Sequence, residues 1–561
     1  MKSIKEIDLS PKPGKKYWKN CHREWREEFI YFLLVDRFHD SNKRRPLEFE
    51  TRHYGFGEEY ELQKSCGGNL RGIINHLDYI KSLGCTAIWI SPVFKNNPES
   101  YHGYAIENYL EIDERWGTKE DLEQLVDAAH ANDMRVFLDI VLHHSGNNWH
   151  YPGNYDYYYF NGIQFPLEGW RYDDGPIPIE MRHAELYNRK GQIRNFESFP
   201  ETKEGDFFQL KAFRNDNSKE ALYVQDLLIT IHSYWIRETD IDGFRVDAVK
   251  HMGEEVISRF CSYIREYAYS LGKKNFFLFG ELLGAEESYY RYIGPKTVVS
   301  EGESTIYYGL NSVLDFPLYH ILENVIKGKT SPELLIDRYT RLQHHALNRG
   351  EYGEYLVTFL DNHDQVGKHV KYRFGHEASP EQIIAGVGFL LCALGTPCIY
   401  YGTEQGLDGC GDSDSFVREC MFSLHDQNVN LLNQQSGIYQ VIANIANLRK
   451  GNNILKFGRM YFRETSSDGV HFHLPECEKC TLAFSRVLFN QEILVVYNTC
   501  PSESKMDFIE VDYRINKNKK CMKPIYGYDN PVEIICGKNG AKKRYIRLYL
   551  KPMQFVILQT G

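Results

Sequence analysis

No stretch of the sequence is apolar for long enough to cross a membrane. The first apolar run, Phe29 to Val35, is too short to span a bilayer or to form a leader core, and Met1 to Trp25 before it is polar and basic. The chain is therefore expected to be used as it stands, with no membrane partner. Positive charge is not in excess: 66 Lys and Arg against 76 Asp and Glu leave a net charge of -10, which gives no electrostatic footprint for nucleic acid. There is no Ser-centred elbow, no Gly-rich phosphate loop, no internal repeat and no low-complexity linker. The 13 cysteines are odd in number and scattered, and Cys85, Cys392 and Cys398 lie in apolar runs. That suits buried thiols in a reducing compartment better than a disulfide scaffold, so a cytoplasmic location is expected. Tryptophan is scarce, at 7 residues against 40 Tyr, yet aromatic content reaches 14%. Flat rings with a polar handle suit surfaces that grip sugars, and they fill cores equally well.

What is present is an alternation of short apolar runs with amphipathic stretches. The runs are Phe29 to Val35, Ala87 to Ile90, Val136 to Val141, Gly243 to Asp247, Phe276 to Gly280, Val313 to Phe316, Leu356 to Leu360 and Cys398 to Tyr401. Between them, Thr118 with Asp121 opens one helix, and Asn217 with Glu220 opens another whose Ala221, Val224, Leu228, Ile231 and Trp235 form one stripe. Eight such units predict an α/β fold, a (β/α)8 TIM barrel over residues 29–142 and 214–450. Residues 1–28 read as an N-terminal extension. The Tyr-, Gly-, Asn- and Pro-rich stretch 143–213 is too long for a loop and reads as a domain inserted after the third strand. Residues 451–561 turn to short alternating runs, which predict a C-terminal antiparallel β-sandwich domain.

In such a barrel the chemistry collects at the C-terminal strand ends. Arg245 and Asp247 alternate along the fourth run and so share a face, which is expected to hold Asp247 ionised, although alone they also suit a structural ion pair. Glu281 follows the apolar run Phe276 to Phe279, where desolvation is expected to keep its proton on. Asp364, His144, His363 and Tyr104 stand near the ends of other strands, and Asp139 reads as a structural support. A nucleophilic carboxylate and a separate acid/base carboxyl match cleavage or transfer of a glycosidic bond. Asp364 would then stabilise the oxocarbenium-like transition state, the two imidazoles would add hydrogen bonds, and Tyr104 would offer a flat face to the sugar.

The segments Asp139-Ile-Val-Leu-His-His144, Gly243-Phe-Arg-Val-Asp-Ala-Val-Lys-His251, Gly280-Glu281 and Phe359-Leu-Asp-Asn-His-Asp364 resemble, in order and spacing, the four signature regions of the α-amylase family of retaining glycoside hydrolases. Gly67-Gly-Asn-Leu-Arg-Gly72, Ile88-Trp-Ile-Ser-Pro92, Tyr101-His-Gly-Tyr104 and Gly395-Thr-Pro-Cys-Ile-Tyr-Tyr-Gly402 support the match. The resemblance implies catalysis by Asp247, Glu281 and Asp364, with Tyr104, His144, Arg245 and His363 around the sugar. Ala248 after the nucleophile, followed by Lys250 and His251, resembles enzymes of α-1,4-glucans, with Lys250 and His251 on the leaving-group side; relatives acting on α-1,6 bonds tend to carry Val there. Starch, glycogen or malto-oligosaccharide is the expected partner. A transglycosylase, or an enzyme of the cyclomaltodextrinase or α-glucosidase type, is the alternative within catalysis, and a glycan-binding barrel the alternative outside it. The intact carboxyls argue against the latter. Endo or exo action, chain-length preference and oligomeric state are not legible, and the stretch Tyr155 to Phe160 could shape the cleft or merely pack it.

The pattern departs from the family in its expected metals. Relatives that bind calcium between barrel and insert commonly carry Asn where this chain has His143, and a hard cation prefers oxygen ligands. Asp40-Ser-Asn42 begins like a second calcium loop but continues Lys43-Arg44-Arg45. No essential cofactor is therefore expected. Outside the family pattern, His471, His473, Cys477 and Cys480 offer N and S donors for a zinc ion. Their spacing is shorter than that of a typical structural site, so an ordinary hairpin that binds nothing is the preferred reading.

Overall fold

The computed structural model describes the chain except for residues 20–22, 42–63, 99, 154–156, 159–162, 172–174, 301–302, 350–354, 424–428 and 538–542; the side chains of 296, 298–300, 303 and 343–349 are also left aside. All eight apolar runs form strands: β1 Ile30–Leu33, β2 Ala87–Ile90, β3 Arg135–Ile140, β4 Gly243–Val246, β5 Phe277–Gly280, β6 Ser312–Val313, β7 Val357–Thr358 and β8 Thr396–Tyr400. Each pairs in parallel with its sequence neighbours, β1 pairs with β8, and a bridge from Leu314 to Val357 joins β6 to β7. Because helices cover the outside of the ring, β1 to β5 are buried on both faces, which is why they read as continuous apolar runs.

Local signals set the covering helices. Thr118 and Asp121 close a capping box on the helix Lys119–Ala131, a device that contributes about 1 kcal/mol. The helix Lys219–Thr239 starts later than expected: Ser218 rather than Asn217 caps it, its hydroxyl accepting from Ala221 N. All five stripe residues of that helix are buried, each contributing roughly 1.5–3 kcal/mol for the larger side chains. β4 and β5 approach closely at Gly243, where a Cβ would lie 2.2 Å from the Phe277 carbonyl oxygen. Close pairing of these strands brings Asp247 and Glu281, one residue beyond their ends, side by side.

Between β3 and β4 the short pairs Trp149–His150 with Gly169–Trp170 and His144–Ser145 with Lys211–Ala212 fold the insert over the barrel mouth. After the helix Gly437–Gly451 comes one nine-stranded antiparallel sheet. It curls on itself, so that Leu494, Val496 and Leu558 from one half share a core with Ile509, Ile546 and Leu548 from the other. No described helix is long and apolar enough to cross a membrane.

Candidate active site

The mouth of the barrel holds a cleft of about 620 Å³, lined among others by Tyr104, His144, Asp247, Ala248, Lys250, His251, Glu281 and Asp364. Arg245 lies under its floor, fully buried. Its Nη1 donates to Asp247 Oδ1 at 2.7 Å and to Asp139 Oδ1 at 2.9 Å, and its Nη2 ion-pairs with Glu281 Oε2 at 2.9 Å. One guanidinium therefore joins both carboxyls, which the sequence pattern had suggested only for Asp247. Asp139 is the structural support expected of it, accepting from Trp89 Nε1 at 3.1 Å and from Tyr104 OH at 2.9 Å.

Backbone geometry fixes the pair. Ala248 adopts the left-handed region, with φ of 52°, and this kink aims its N–H at Glu281 Oε2, 3.2 Å away. A β-branched side chain at such a φ is strained. Ala248→Val is expected to lower stability by about 1–3 kcal/mol while Ala248→Gly does not, as read by thermal unfolding. An unchanged midpoint for the Val variant would rule this out.

Electrostatics separates the three carboxyls. Burial pushes Glu281 up to about 8, with Asp247 and Asp364 adding to the rise and Arg245 opposing it. Burial also lifts Asp247 to about 6 against the pull of Arg245. Here the expectation needs correction: Arg245 does not hold Asp247 low, because Asp139 shares the same guanidinium and desolvation outweighs it, yet the group is still ionised at neutral pH. Asp364 is buried too, but His363 and the Arg418 guanidinium outweigh desolvation and bring it down to about 2. Four carboxyls crowd around few cations, and the proton that must remain settles on Glu281.

Other residues take parts the sequence did not reveal. Arg418, after β8, donates from Nη2 to Asp364 Oδ1 at 2.6 Å, from Nε to the His363 carbonyl at 2.8 Å and from Nη1 to Tyr101 OH at 3.1 Å. Lys371 donates to the Asp364 carbonyl at 2.6 Å and pairs with Asp414 at 3.1 Å. His102, Phe196, Phe207 and Phe208 also line the cleft. His102 was legible as part of Tyr101-His-Gly-Tyr104; the others stand in irregular connections with no periodicity to mark them.

The predicted sugar-binding groups mostly reach the cleft. Tyr104 stacks on the His363 ring at 5.4 Å, and His363 Nε2 lies 2.8 Å from Tyr104 OH and 3.3 Å from Asp364 Oδ2. Lys250 pairs with Glu197 of the insert, and His251 Nδ1 with the Thr202 carbonyl at 2.7 Å. His144 lines the cleft as well. Its Nε2 lies 3.2 Å from the Tyr104 carbonyl and its Nδ1 lies 3.3 Å from His143 Nδ1, so both nitrogens have a partner within the protein.

At the first implied calcium position the side chains are not those a hard cation takes. His143, at the implied calcium position, is buried beside the rings of His144, Phe207 and His251, with no partner on Nε2. Imidazoles and an aromatic ring are not the oxygen donors a hard cation takes. Asn42 to Arg45 of the second implied loop lie outside the described residues, as do Tyr155, Tyr159 and Phe160 of the Tyr-rich stretch. The zinc quartet is not assembled: His471, 84% exposed, bonds Asp468 Oδ2 at 2.8 Å, and His473 faces the Leu474 carbonyl at 3.0 Å. Among the described residues no three His, Cys, Asp or Glu side chains gather closely enough to hold a metal ion.

Residues 32–430 match the family model described as the alpha amylase catalytic domain. The chain belongs to the α-amylase family. Within it, a cyclomaltodextrin glucanotransferase of Klebsiella oxytoca is 29% identical over 473 residues, covering 78% of this chain and 67% of that protein. An alpha-amylase of Streptomyces lividans is 27% identical, covering 79% of this chain and 52% of its own length. A solved Anoxybacillus alpha-amylase superposes with a TM-score of 0.70 at 26% identity, covering 96% of this chain and 99% of that one. The chain thus spans between half and two thirds of these two curated α-amylase-family relatives. Glycoside hydrolases and glycosyl transferases both appear among its kin.

Proposed function

We propose that this protein is a cytoplasmic, retaining α-glucan hydrolase that cleaves α-1,4-glucosidic bonds of starch, glycogen or malto-oligosaccharides without an essential cofactor. The observation that carries the reading is the sharing of Arg245 by Asp247 and Glu281, in surroundings that leave the proton on Glu281. Carboxyls held on the two terminal nitrogens of one guanidinium favour the roughly 5 Å separation of retaining enzymes over the wider gap an activated water needs. Asp247 attacks the anomeric carbon as Glu281 protonates the departing glycosidic oxygen, giving a glycosyl ester on Asp247. Glu281, now ionised, takes a proton from water, which attacks the same carbon and releases Asp247. Ionised Asp364 faces the charge that develops on the ring, and Tyr104 offers the sugar the flat face of its own ring. The α-1,4 preference is supported by Ala248, Lys250 and His251, all of which line the cleft. The location is supported by the twelve described cysteines, all free thiols.

Transglycosylation is the second reading. Phe196 and Phe208, 37% and 71% exposed, present bare rings to the cleft, and such rings stack on an acceptor sugar and displace water. Chromatography of maltoheptaose digests with a count of new reducing ends separates the two. Hydrolysis yields shorter chains and one new reducing end per cleavage; transfer yields longer or cyclic products with the count unchanged. No turnover of any α-glucan would overturn both.

A further inference from the structure

The insert grips the barrel where its helix Glu201–Glu204 meets the turn Val249–His251, the segment that follows Asp247 and Ala248 into the cleft. Four donors make the junction. Lys203 Nζ donates to the Met252 carbonyl and lies 3.0 Å from the hydroxyl of Tyr292, which itself donates to that carbonyl at 2.9 Å. Asn215 Nδ2 donates to the Lys203 carbonyl at 2.8 Å and to the His251 carbonyl at 3.4 Å. His251 Nδ1 reaches back to the Thr202 carbonyl at 2.7 Å. The carbonyl oxygens of His251 and Met252 are the ligand type a hard cation seeks. Here both are already taken, that of His251 by Asn215 and that of Met252 by Lys203 and the Tyr292 hydroxyl. A second cation would meet the Lys203 ammonium and the bare imidazole Nε2 of His143; the Glu254 carboxylate already acts on Lys203, and among the described residues no three His, Cys, Asp or Glu side chains gather there to hold a metal ion.

We propose that Lys203 is the cation of this junction: a tethered positive charge that ties the insert to the Val249–His251 turn and so positions Lys250 and His251 at the cleft. Lys203 touches no cleft group directly and is therefore a positioning residue. Barrel and insert are joined without calcium, which accounts for an imidazole at position 143 where relatives place an oxygen donor.

Thermal unfolding of the full chain tests this without any assay of turnover. The midpoint is expected to be the same in EDTA and in millimolar calcium. Lys203→Met is expected to lower it by several degrees, with Lys203→Arg recovering most of the loss. A second arm rests on the proposed α-glucan activity: Lys203→Met should raise KM for maltoheptaose several-fold with a smaller change in kcat, which general destabilisation would not do. A fall in the wild-type midpoint on chelation that calcium restores would overturn the proposal. So would a Lys203→Met protein with wild-type midpoint and KM. If that variant fails to fold, the wild-type chelation curve and Lys203→Arg still decide, because a calcium junction predicts a chelator-sensitive midpoint in both. Loss of all turnover would sink the functional reading but leave the melting arm standing.

Discussion

Asp247→Asn is expected to lower kcat/KM on maltoheptaose by on the order of 10⁴-fold, with the melting profile close to wild type. The amide keeps the shape of the side chain and its contact with Arg245 Nη1, but it cannot form a glycosyl ester. Glu281→Gln is expected to cost roughly 10²–10⁴-fold on the same substrate. The two variants part on an activated glucosyl donor, such as a glucosyl fluoride, whose leaving group needs no proton. Glu281→Gln should recover formation of the glycosyl-enzyme there; Asp247→Asn should not. Equal recovery by both would contradict the assignment of roles.

The same pair predicts the pH profile. Asp247 must be ionised to attack and Glu281 protonated to donate, so kcat/KM should rise as Asp247 loses its proton near pH 6 and fall as Glu281 loses its own near pH 8. On the activated donor the alkaline limb should vanish for the glycosylation step, because that limb belongs to the acid. A wild-type profile flat from pH 5 to pH 9 would exclude both groups as the titrating pair.

Much of this could be read from residues in order, for a physical reason. Parallel strands buried on both faces must be apolar throughout, so all eight barrel strands stood out, and residues just past their ends inherit the barrel mouth. Asp247, Glu281 and Asp364 were found in that way. The C-terminal domain was half legible: Thr481–Leu488 and Gln491–Asn498 alternate clearly, whereas Thr465–Ser466 is a two-residue edge strand with too little length to show a period. Charge partners were the least legible. The rise of Asp247 depends on Asp139 sharing Arg245 across 106 residues of sequence, and the part of His144 depends on where two nitrogens point. Neither is a property of local pattern.

Arg418 is the sharpest case of a group that only the fold reveals, and removing it should have a large effect. Three of its donors are spent on Asp364, the His363 carbonyl and Tyr101 OH, so it acts on the site through Asp364 more than by direct contact with sugar. Asp364 is low because Arg418 and His363 outweigh its burial; without the guanidinium its carboxyl should rise, since an adjacent cation commonly shifts a carboxyl by about 1–3 units. A carboxylate no longer held by that guanidinium turns away from the charge developing on the ring. Arg418→Met is therefore expected to lower kcat by about 10²-fold, with KM changed far less. Its acid limb should stay near pH 6, where Asp247 sets it, because a rise of that size still leaves Asp364 ionised there. Arg418→Lys should keep part of the charge and part of kcat but lose the fork that fixes His363 and Asp364 together. If Arg418→Met instead raises KM with kcat unchanged, Arg418 binds sugar directly and Asp364 owes its position to His363.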